Sequence, residues 1–334
     1  MNLDATIFLR RLLYGVIAGV VIYAGFALFS DAGSLARTLD SFPAYVIVGA
    51  CALSLINYGL RFIKWHLYLH LLDLRVPLGH SLLVFMAGLI MAISPGKIGE
   101  VVKSGLLKRS RDIPIARTVP IVLAERVTDL LGLCILASFG IIAFQYGMIV
   151  FFCTLATIFA AIIILQSPPL VHRLLDLFQV IPFIGGLREE LDRAYLSTQV
   201  LLRPRPLAAA TVLSAIGWSM EALAMAWILT ALGVSPPLIF EAFFVFSTAT
   251  LLGALSFLPG GLGVTEGSMT GLLLWLELFD DFNPALAATY LIRFTTLWFG
   301  VIVGFLAFML YESRQRSREK VQDASSDNST AEND

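Results

Sequence analysis

Apolar runs as long as a membrane-spanning helix recur along this sequence. They include LLYGVIAGVVIYAGFALF at 12–29 and FGVIVGFLAFMLY at 299–311. A helix needs about 20 predominantly apolar residues to cross the hydrocarbon core of a bilayer, whereas a barrel strand is about half as long and alternates with polar residues. Charged residues make up only 14% of the chain, well below their share in soluble domains. The sequence therefore predicts an all-α polytopic membrane protein.

The predicted topology combines complete crossings with broken hairpins. Two apolar stretches, 81–94 and 238–257, each run into a Pro-Gly break and a second short apolar piece. A complete crossing at 81–94 would leave the basic cluster after it outside, although Lys and Arg favour cytoplasmic loops. We therefore predict two re-entrant hairpins and about six complete crossings, with eight crossings as the alternative. The six predicted crossings are 12–29, 43–60, 115–139, 141–165, 207–231 and 284–310.

One helical transmembrane domain is predicted over 1–311. The segment 312–334 is polar and acidic towards its end, so we expect a disordered cytoplasmic tail there. The less apolar linker 166–206 carries several arginines with apolar residues near helical spacing, which predicts an amphipathic helix at the cytoplasmic surface. The distribution of Lys and Arg places both termini in the cytoplasm.

The Pro-Gly break occurs twice with the same features around it. SPGKIGEVVK and LPGGLGVTEG both contain Pro-Gly-x-x-Gly followed closely by Glu. An Arg-x-Thr-x-Leu pattern follows each break, beginning at Arg126 and at Arg293. This order predicts two repeat units, at about 43–139 and 207–310, which the predicted topology makes inverted. Inverted repeats with broken helices are typical of transporters.

Each break offers a site for an anion. Free N–H groups and the helix dipole at the start of a half-helix favour negative charge, and glycine lets a phosphate-like group approach the backbone. The acid after each break would hold a fixed polar contact or a coupling proton. The alternative is a glycine-rich loop that only permits close helix packing. The candidate residues are Gly96, Lys97, Gly99, Glu100 and Lys103 in the first break and Gly260, Gly261, Gly263 and Glu266 in the second.

A charged cluster interrupts the apolar segment VPIVLAERVTDLLGLCILASFG. Glu125, Arg126 and Asp129 together cost about 8–10 kcal/mol on insertion scales, so they must face protein or a hydrated cavity. Their i,i+3 and i,i+4 spacings place them on one helix face. Arg293 has no local acid, and its candidate partners are Glu266, Glu125 and Asp129. Structural pairing alone is the alternative to a role in binding.

Other polar residues have plainer interpretations. The group after segment 43–60 is typical of an interfacial belt: Arg61, Lys64, Trp65, His66 and His70. The two histidines lack an HExxH pattern, so no metal site is predicted. Glu221 is a further intramembrane acid, either an interhelical hydrogen-bonding group or a cavity liner. Without a catalytic-triad order or a P-loop, the sequence predicts no catalytic residues and no cofactor.

Three motifs, SPGKIGEVVKSGLL, VLAERVTDLLGL and LPGGLGVTEG, resemble the lysylphosphatidylglycerol synthase transmembrane region family, also called flippase-like domain proteins. The similarity covers about residues 10–310. Members resemble the membrane half of bacterial enzymes that attach an amino acid to phosphatidylglycerol and move the product to the outer leaflet. We expect no soluble aminoacyl-transferring domain here, so the resemblance implies the translocating half and leaves the cargo open.

The inverted units and the resemblance together predict a lipid translocase of a bacterial inner membrane rather than an enzyme. The cargo would be an anionic phospholipid or a polyprenyl-phosphate-linked lipid, with Arg126 and Arg293 as cationic contacts of its phosphate. The alternatives are a membrane enzyme acting on a lipid-linked sugar or acyl group, and an accessory subunit of a lipid-modifying complex. Besides lipid, a second copy or a lipid-biosynthetic protein would be the partner, and the net charge of −1 argues against nucleic acid.

Overall fold

The structure is a computed structural model that describes residues 40–94, 100–144, 188–235 and 238–331, with single positions at 33, 152, 155, 156, 159, 160, 163 and 167. Every regular element in these residues is helical. The α-helices are α1 (Ala44–Leu71), α2 (Leu78–Gly88), α3 (Val102–Arg111), α4 (Ile115–Phe144), α5 (Arg188–Leu201), α6 (Pro204–Ala231), α7 (Ile239–Leu255), α8 (Val264–Trp275), α9 (Phe282–Arg293) and α10 (Phe299–Ala331). A 3-10 turn at Leu89–Ile93 extends α2, another at Pro259–Gly261 separates α7 from α8, and a π-helical turn at Phe294–Trp298 joins α9 to α10.

The long helices coincide with predicted crossings. Three described helices are long and apolar enough to cross a membrane: α1, α6 and the continuous helix Phe282–Ser317. Helix α4 has 30 residues and extends about 45 Å at 1.5 Å per residue, but it carries charges in its middle. The chain is thus an all-α polytopic membrane protein, as predicted. The predicted crossing at 12–29, and all but isolated positions of that at 141–165, lie outside the described residues.

Helices α1 and α6 pack along their length in opposite directions. Near the start of α1, Gly49 lies so close to the Trp227 ring of α6 that a Cβ atom would not fit. Towards the other end, Lys64 Nζ donates to Ser214 Oγ at 2.7 Å. The end of α1 and the start of α6 therefore lie on one side of the molecule.

The first hairpin, α2 with α3, begins and ends on that same side. His80 Nε2, near the start of α2, lies 2.8 Å from Ser110 Oγ, near the end of α3. Helix α4 begins there as well, because the Arg117 side chain donates to the Leu72 carbonyl at 2.7 Å, just after α1. This is the arrangement predicted for a re-entrant hairpin.

The second hairpin, α7 with α8, comes from the opposite side. Helix α7 follows the end of α6, and its first turns hold Phe240 and Phe243 against Phe139, near the end of α4, with ring centroids 6.5 and 6.2 Å away. Helix α8 then returns along α7. The two hairpins are therefore oppositely oriented, which agrees with the predicted inversion.

Each hairpin packs against the last helix of the other unit. Helix α2 and its 3-10 turn lie on α10, where Gly304 touches the backbone of Ile90, whereas α7 lies on α4. The two hairpins meet in the middle, where a Cβ atom at Gly260 would lie 3.3 Å from the Cα atom of Ile93, just before the first break. Beside this contact, Ile93, Leu262, Leu297 and Val301 form a small buried cluster. The contact between a hairpin and a last helix thus occurs twice, and each unit supplies the hairpin in one case and the helix in the other.

Two further helical segments lie outside most of the two repeat units. Helix α5 lies near the end of the linker 166–206 and packs on α4, with Tyr195 and Leu201 buried and Leu196 exposed. The last helix continues to Ala331, into the segment 312–334 whose composition predicts disorder. Most residues from Glu312 to Ala324 are Arg, Glu, Gln, Lys or Ala, and because these residues favour helix, the helix of the last crossing propagates into this stretch.

Candidate functional site

A cavity of about 240 Å³ lies where the two units and their hairpin tips meet. Most of its wall is apolar. Five charged side chains reach it, from helices of both units: Arg61, Arg126, Asp129, Glu221 and Arg293. Charged groups inside a membrane protein need partners or water, so their pairing determines what the cavity can bind.

Glu100, just after the first break, lies between two arginines. Its Oε2 accepts from Arg126 Nη2 at 3.0 Å, and its Oε1 accepts from Arg61 Nη2 at 3.4 Å. Arg126 Nη2 also lies 3.1 Å from Asp129 Oδ2, and Asp129 Oδ1 accepts from Lys64 Nζ at 2.6 Å. These five residues form one network of both charge signs that connects α1, the first hairpin and α4.

Lys103 extends this network behind the cavity wall. Its Nζ donates to Glu125 Oε2 at 2.5 Å and lies 4.6 Å from the centre of the Trp65 ring. Gly88 of α2 makes room for the lysine stem, because a Cβ atom there would collide with Lys103 Cγ. Both charged groups are buried, and neither lines the cavity. The pair joins α3 to α4.

In the second unit, Arg293 pairs with Glu266, one of its three predicted partners. Arg293 Nε donates to Glu266 Oε1 at 2.6 Å, and its Nη2 donates to the Gly260 carbonyl at 2.8 Å. The other carboxylate oxygen of Glu266 accepts from the Gly263 amide at 2.7 Å, at the start of α8. Glu266 thus makes a fixed polar contact. Its carboxylate accepts a hydrogen bond from the Gly263 amide, one of the half-helix N–H groups that were predicted to bind a phosphate.

Backbone geometry explains the glycines of the second break. Gly260, Gly261 and Gly263 have φ values of 61°, 67° and 85°, a region that residues with a Cβ atom rarely adopt. Gly261 also lies against Gly253 of α7, and a Cβ atom there would be 3.0 Å from Gly253 Cα. The tight turn brings the Gly260 carbonyl to Arg293.

The same ion pair occurs in both units. The glutamate after each break pairs with the arginine of the following Arg-x-Thr-x-Leu segment: Glu100 with Arg126 at 3.0 Å, and Glu266 with Arg293 at 2.6 Å. Since the units are oppositely oriented, the two arginines come to one cavity from corresponding positions. The repeated motifs therefore correspond to a repeated contact.

The interpretation of Arg61, Lys64 and Trp65 as part of an interfacial belt is wrong. Helix α1 continues to Leu71, and the three side chains turn towards neighbouring helices, where Lys64 and Trp65 are completely buried. The acids of α4 explain this burial. Asp129 contacts Arg126 of its own helix, and Lys64 supplies a second cation from α1.

A further sequence similarity between the two units includes the position of Arg61. LSLINYGLR in α1 and LSAIGWSME in α6 share Leu, Ser and Ile at the same places, and they align Arg61 with Glu221. Glu221 Oε1 accepts from Asn57 Nδ2 at 2.6 Å, and the residue also lines the cavity, so both possibilities for this acid are realised. The paired helices α1 and α6 thus contribute one cation and one anion to the cavity.

The candidate residues divide by position. Gly96, Lys97 and Gly99 lie outside the described residues. Those that line the cavity are Arg126, Asp129, Gly260, Gly261 and Arg293, whereas the partners and neighbours behind them are Glu100, Lys103, Glu125, Gly263 and Glu266. The binding roles of all these residues stay predictions.

Comparison with known proteins agrees with the motifs. Residues 16–304 match the family described as Lysylphosphatidylglycerol synthase TM region. The chain is also 25% identical over 236 residues to UPF0104 membrane protein MJ1078 of Methanocaldococcus jannaschii, an alignment covering 67% of this chain and 94% of that protein. The family match confirms the resemblance predicted from the sequence, and its range includes every residue of the cavity wall.

Proposed function

Because the chain belongs to the lysylphosphatidylglycerol synthase TM region family, we propose that it moves a lipid with an anionic, phosphate-containing headgroup between the two leaflets of a membrane. The family description ties the chain to membrane lipids. The proposed cargo is an anionic phospholipid or a polyprenyl-phosphate-linked lipid. Its headgroup would occupy the central cavity while its acyl chains stay in the bilayer.

One observation carries this proposal: Arg126 and Arg293, one from each unit, line the same cavity. Guanidinium groups bind phosphate through paired N–H donors, which makes arginine well suited to this role. Each arginine contacts a residue at or just after the break of its own unit, and the two hairpins come from opposite sides of the molecule. A headgroup held between the arginines would therefore lie midway between the two surfaces.

The ion pairs offer a way to move a charge without leaving any group unpaired. Arg126 contacts both Glu100 and Asp129, and 21% of its side chain is exposed in the cavity. A phosphate could replace one of these acids at Arg126 while the other acid stays bound, so that Arg126 does not become an isolated buried charge. Rocking of two inverted units about a fixed central site is the mechanism that such repeats support.

We propose that the side on which the first hairpin opens is the cytoplasmic side of a bacterial inner membrane. The arginines that support this assignment are Arg109, Arg111, Arg117, Arg203, Arg205 and Arg314. Acidic residues lie at the opposite ends of the helices, at Asp40, Glu277, Asp280 and Asp281. An excess of Lys and Arg marks cytoplasmic loops, so this charge asymmetry favours cytoplasmic termini.

A leaflet-resolved flipping assay tests the translocation. Purified protein would be placed in liposomes with fluorescent phosphatidylglycerol and compared with the double variant Arg293→Gln/Glu266→Gln, which removes both charges and leaves no unpaired carboxylate. We expect the parent to move the label and the variant to be at least about tenfold slower, since a charged hydrogen bond contributes about 1.5–3 kcal/mol.

The matched control is Arg109→Gln/Glu312→Gln, because this pair, 2.6 Å apart, lies at the surface away from the cavity. It should keep the parental rate. Equal rates in the Arg293 variant and the parent would contradict the role of the cavity, and a folded parent protein that moves no anionic lipid would contradict the function.

The two alternatives give other outcomes with the same purified protein. A membrane enzyme would form product from a lipid-linked sugar or acyl donor without needing a second protein. An accessory subunit would move no lipid by itself and would lose its biosynthetic partner when the linker 166–206 is removed.

A further inference from the structure

A second cavity, of about 260 Å³, lies at the opening of the first hairpin. Three elements form it: the start of α2, the end of α3 and the part of α10 around residues 311–315. Helix α2 and its 3-10 turn extend from there for about 25 Å to the hairpin tip at the central cavity. The two cavities are therefore separate sites at opposite ends of the same hairpin arm.

The second cavity has a positive wall. Arg111 and Arg314 line it from two different helices, and the described wall contains no carboxylate. The acids next to these arginines in sequence are bound elsewhere: Glu312 to Arg109 at 2.6 Å, and Asp112 to Lys108. The described wall therefore leaves the positive charge of these two arginines available to an anion.

The start of α2 borders the same space. Pro77 precedes α2 and makes no side-chain cap hydrogen bond, and the first intrahelical donor is Ser81, so the amides of Leu78 and Gly79 have no acceptor within the helix. Gly79 lies on the cavity wall, and a Cβ atom there would meet nothing within 4 Å. An anion can therefore approach the backbone at Gly79 in the cavity that the two arginines line.

Hydrogen bonds within and between the three elements hold this wall in shape. Tyr311, which is 1% exposed, donates to the Leu106 carbonyl of α3 at 2.8 Å. Gln315, which is 8% exposed, donates to the Tyr311 hydroxyl at 3.1 Å. His80 lies 2.8 Å from Ser110, as described above. The arginines consequently project from a fixed frame.

We propose that this cavity binds a phosphate group, either on the headgroup of an anionic lipid or on a soluble phosphorylated compound. Two guanidinium groups, with the amides of Leu78 and Gly79 at the start of a helix, are the kinds of donor that phosphate recognition uses. The volume suits a phosphate with a short attached group. A bound phosphate would join the opening of the first hairpin to α10, the helix on which α2 and its 3-10 turn pack. This inference does not depend on the proposed translocation.

Equilibrium binding to the full chain tests the site. The protein would be held in nanodiscs of phosphatidylcholine, and three probes would be titrated: short-chain phosphatidylglycerol, glycerol 3-phosphate and inorganic phosphate. Arg111→Gln/Arg314→Gln removes the two charges, and Gly79→Leu fills the space without changing charge. We expect each variant to weaken binding of at least one probe about tenfold or more.

Two controls match these variants. Arg203→Gln/Arg205→Gln removes two exposed arginines from the start of α6, on the same side of the molecule, and Gly271→Leu adds the same side chain to an open helix position in α8. Both should bind like the parent. Loss for phosphatidylglycerol alone would identify a lipid headgroup, and loss for the soluble probes as well would identify phosphate from solution. Unchanged binding in both variants, or an equal loss in the arginine control, would overturn the proposal.

Discussion

Single buried charges in this protein are held by partners from distant parts of the chain. Lys103 is 2% exposed, and its ammonium contacts Glu125 in α4. Replacing Lys103 with Met keeps the volume of the stem beside Trp65 but leaves the acid without its cation. We expect the free energy of unfolding to fall by about 3–5 kcal/mol, measured by denaturant titration in mixed micelles.

The matched control for this substitution is Lys108→Met, because Lys108 is half-exposed and its partner Asp112 is exposed. Its stability should equal that of the parent, since exposed ion pairs add little. A Lys103→Met protein as stable as the Lys108→Met protein would mean that the buried pair does not form.

The sequence predicts which buried charges need partners better than it predicts the partners. Glu125, Arg126 and Asp129 stand in an apolar segment, so their need for a protected environment follows from transfer energies alone. Arg61 and Lys64 follow the apolar stretch of α1, where local patterning equally suits a membrane surface. Only the packing of α1 on α4 and α6 decides the matter, and that packing is set by contacts far apart in sequence.

The broken hairpins are elements held by close backbone contact. Gly304 of α10 lies against the backbone of Leu89 and Ile90, and a Cβ atom at this position would overlap the main chain of the 3-10 turn. Gly304→Ala should therefore push the first hairpin away from α10. We expect a loss of about 1–3 kcal/mol in stability, seen as a lower midpoint in thermal unfolding of the detergent-solubilised protein.

Gly271→Ala provides the comparison for Gly304→Ala. Gly271 is exposed in α8, and a Cβ atom there meets nothing within 4 Å. Alanine favours helix over glycine, so this variant should be as stable as the parent or slightly more stable. If both alanine variants behaved alike, the close contact of the hairpin with α10 would be refuted.

Helix breaks differ in how far the sequence announces them. The Pro-Gly pairs mark the hairpin tips because proline and glycine interrupt helices. The π-helical turn after Arg293 has no such mark, and its residues FTTLW suit an ordinary helix. It depends on tertiary contact, since the Tyr58 hydroxyl donates to the Thr296 carbonyl at 2.6 Å. A side chain of α1 thus satisfies a backbone group in a turn that local sequence does not predict.

At the scale of the molecule, the described helices form two units, and the hairpin of each unit packs on the last helix of the other. Repeated motifs and the distribution of basic residues were enough to predict two inverted units. They could not predict that each hairpin lies on the other unit's last helix, because this exchange depends on side-chain packing between units. The exchange places Gly260 of the second break against Ile93, just before the first break, beside the cavity that Arg126 and Arg293 line. Neither unit could form that cavity alone.

Cysteine accessibility in oriented vesicles tests this arrangement. With Cys51, Cys134 and Cys153 replaced by alanine, single cysteines would be introduced as Arg75→Cys, Lys108→Cys and Asp280→Cys, all at exposed positions. Arg75 precedes the first hairpin and Lys108 lies near its end, so a membrane-impermeant maleimide should label both from one side. Asp280 follows the second hairpin and should be labelled only from the other side. A complete crossing by the first hairpin would instead separate Arg75 from Lys108, and labelling of all three positions from one side would rule out opposite orientation of the hairpins.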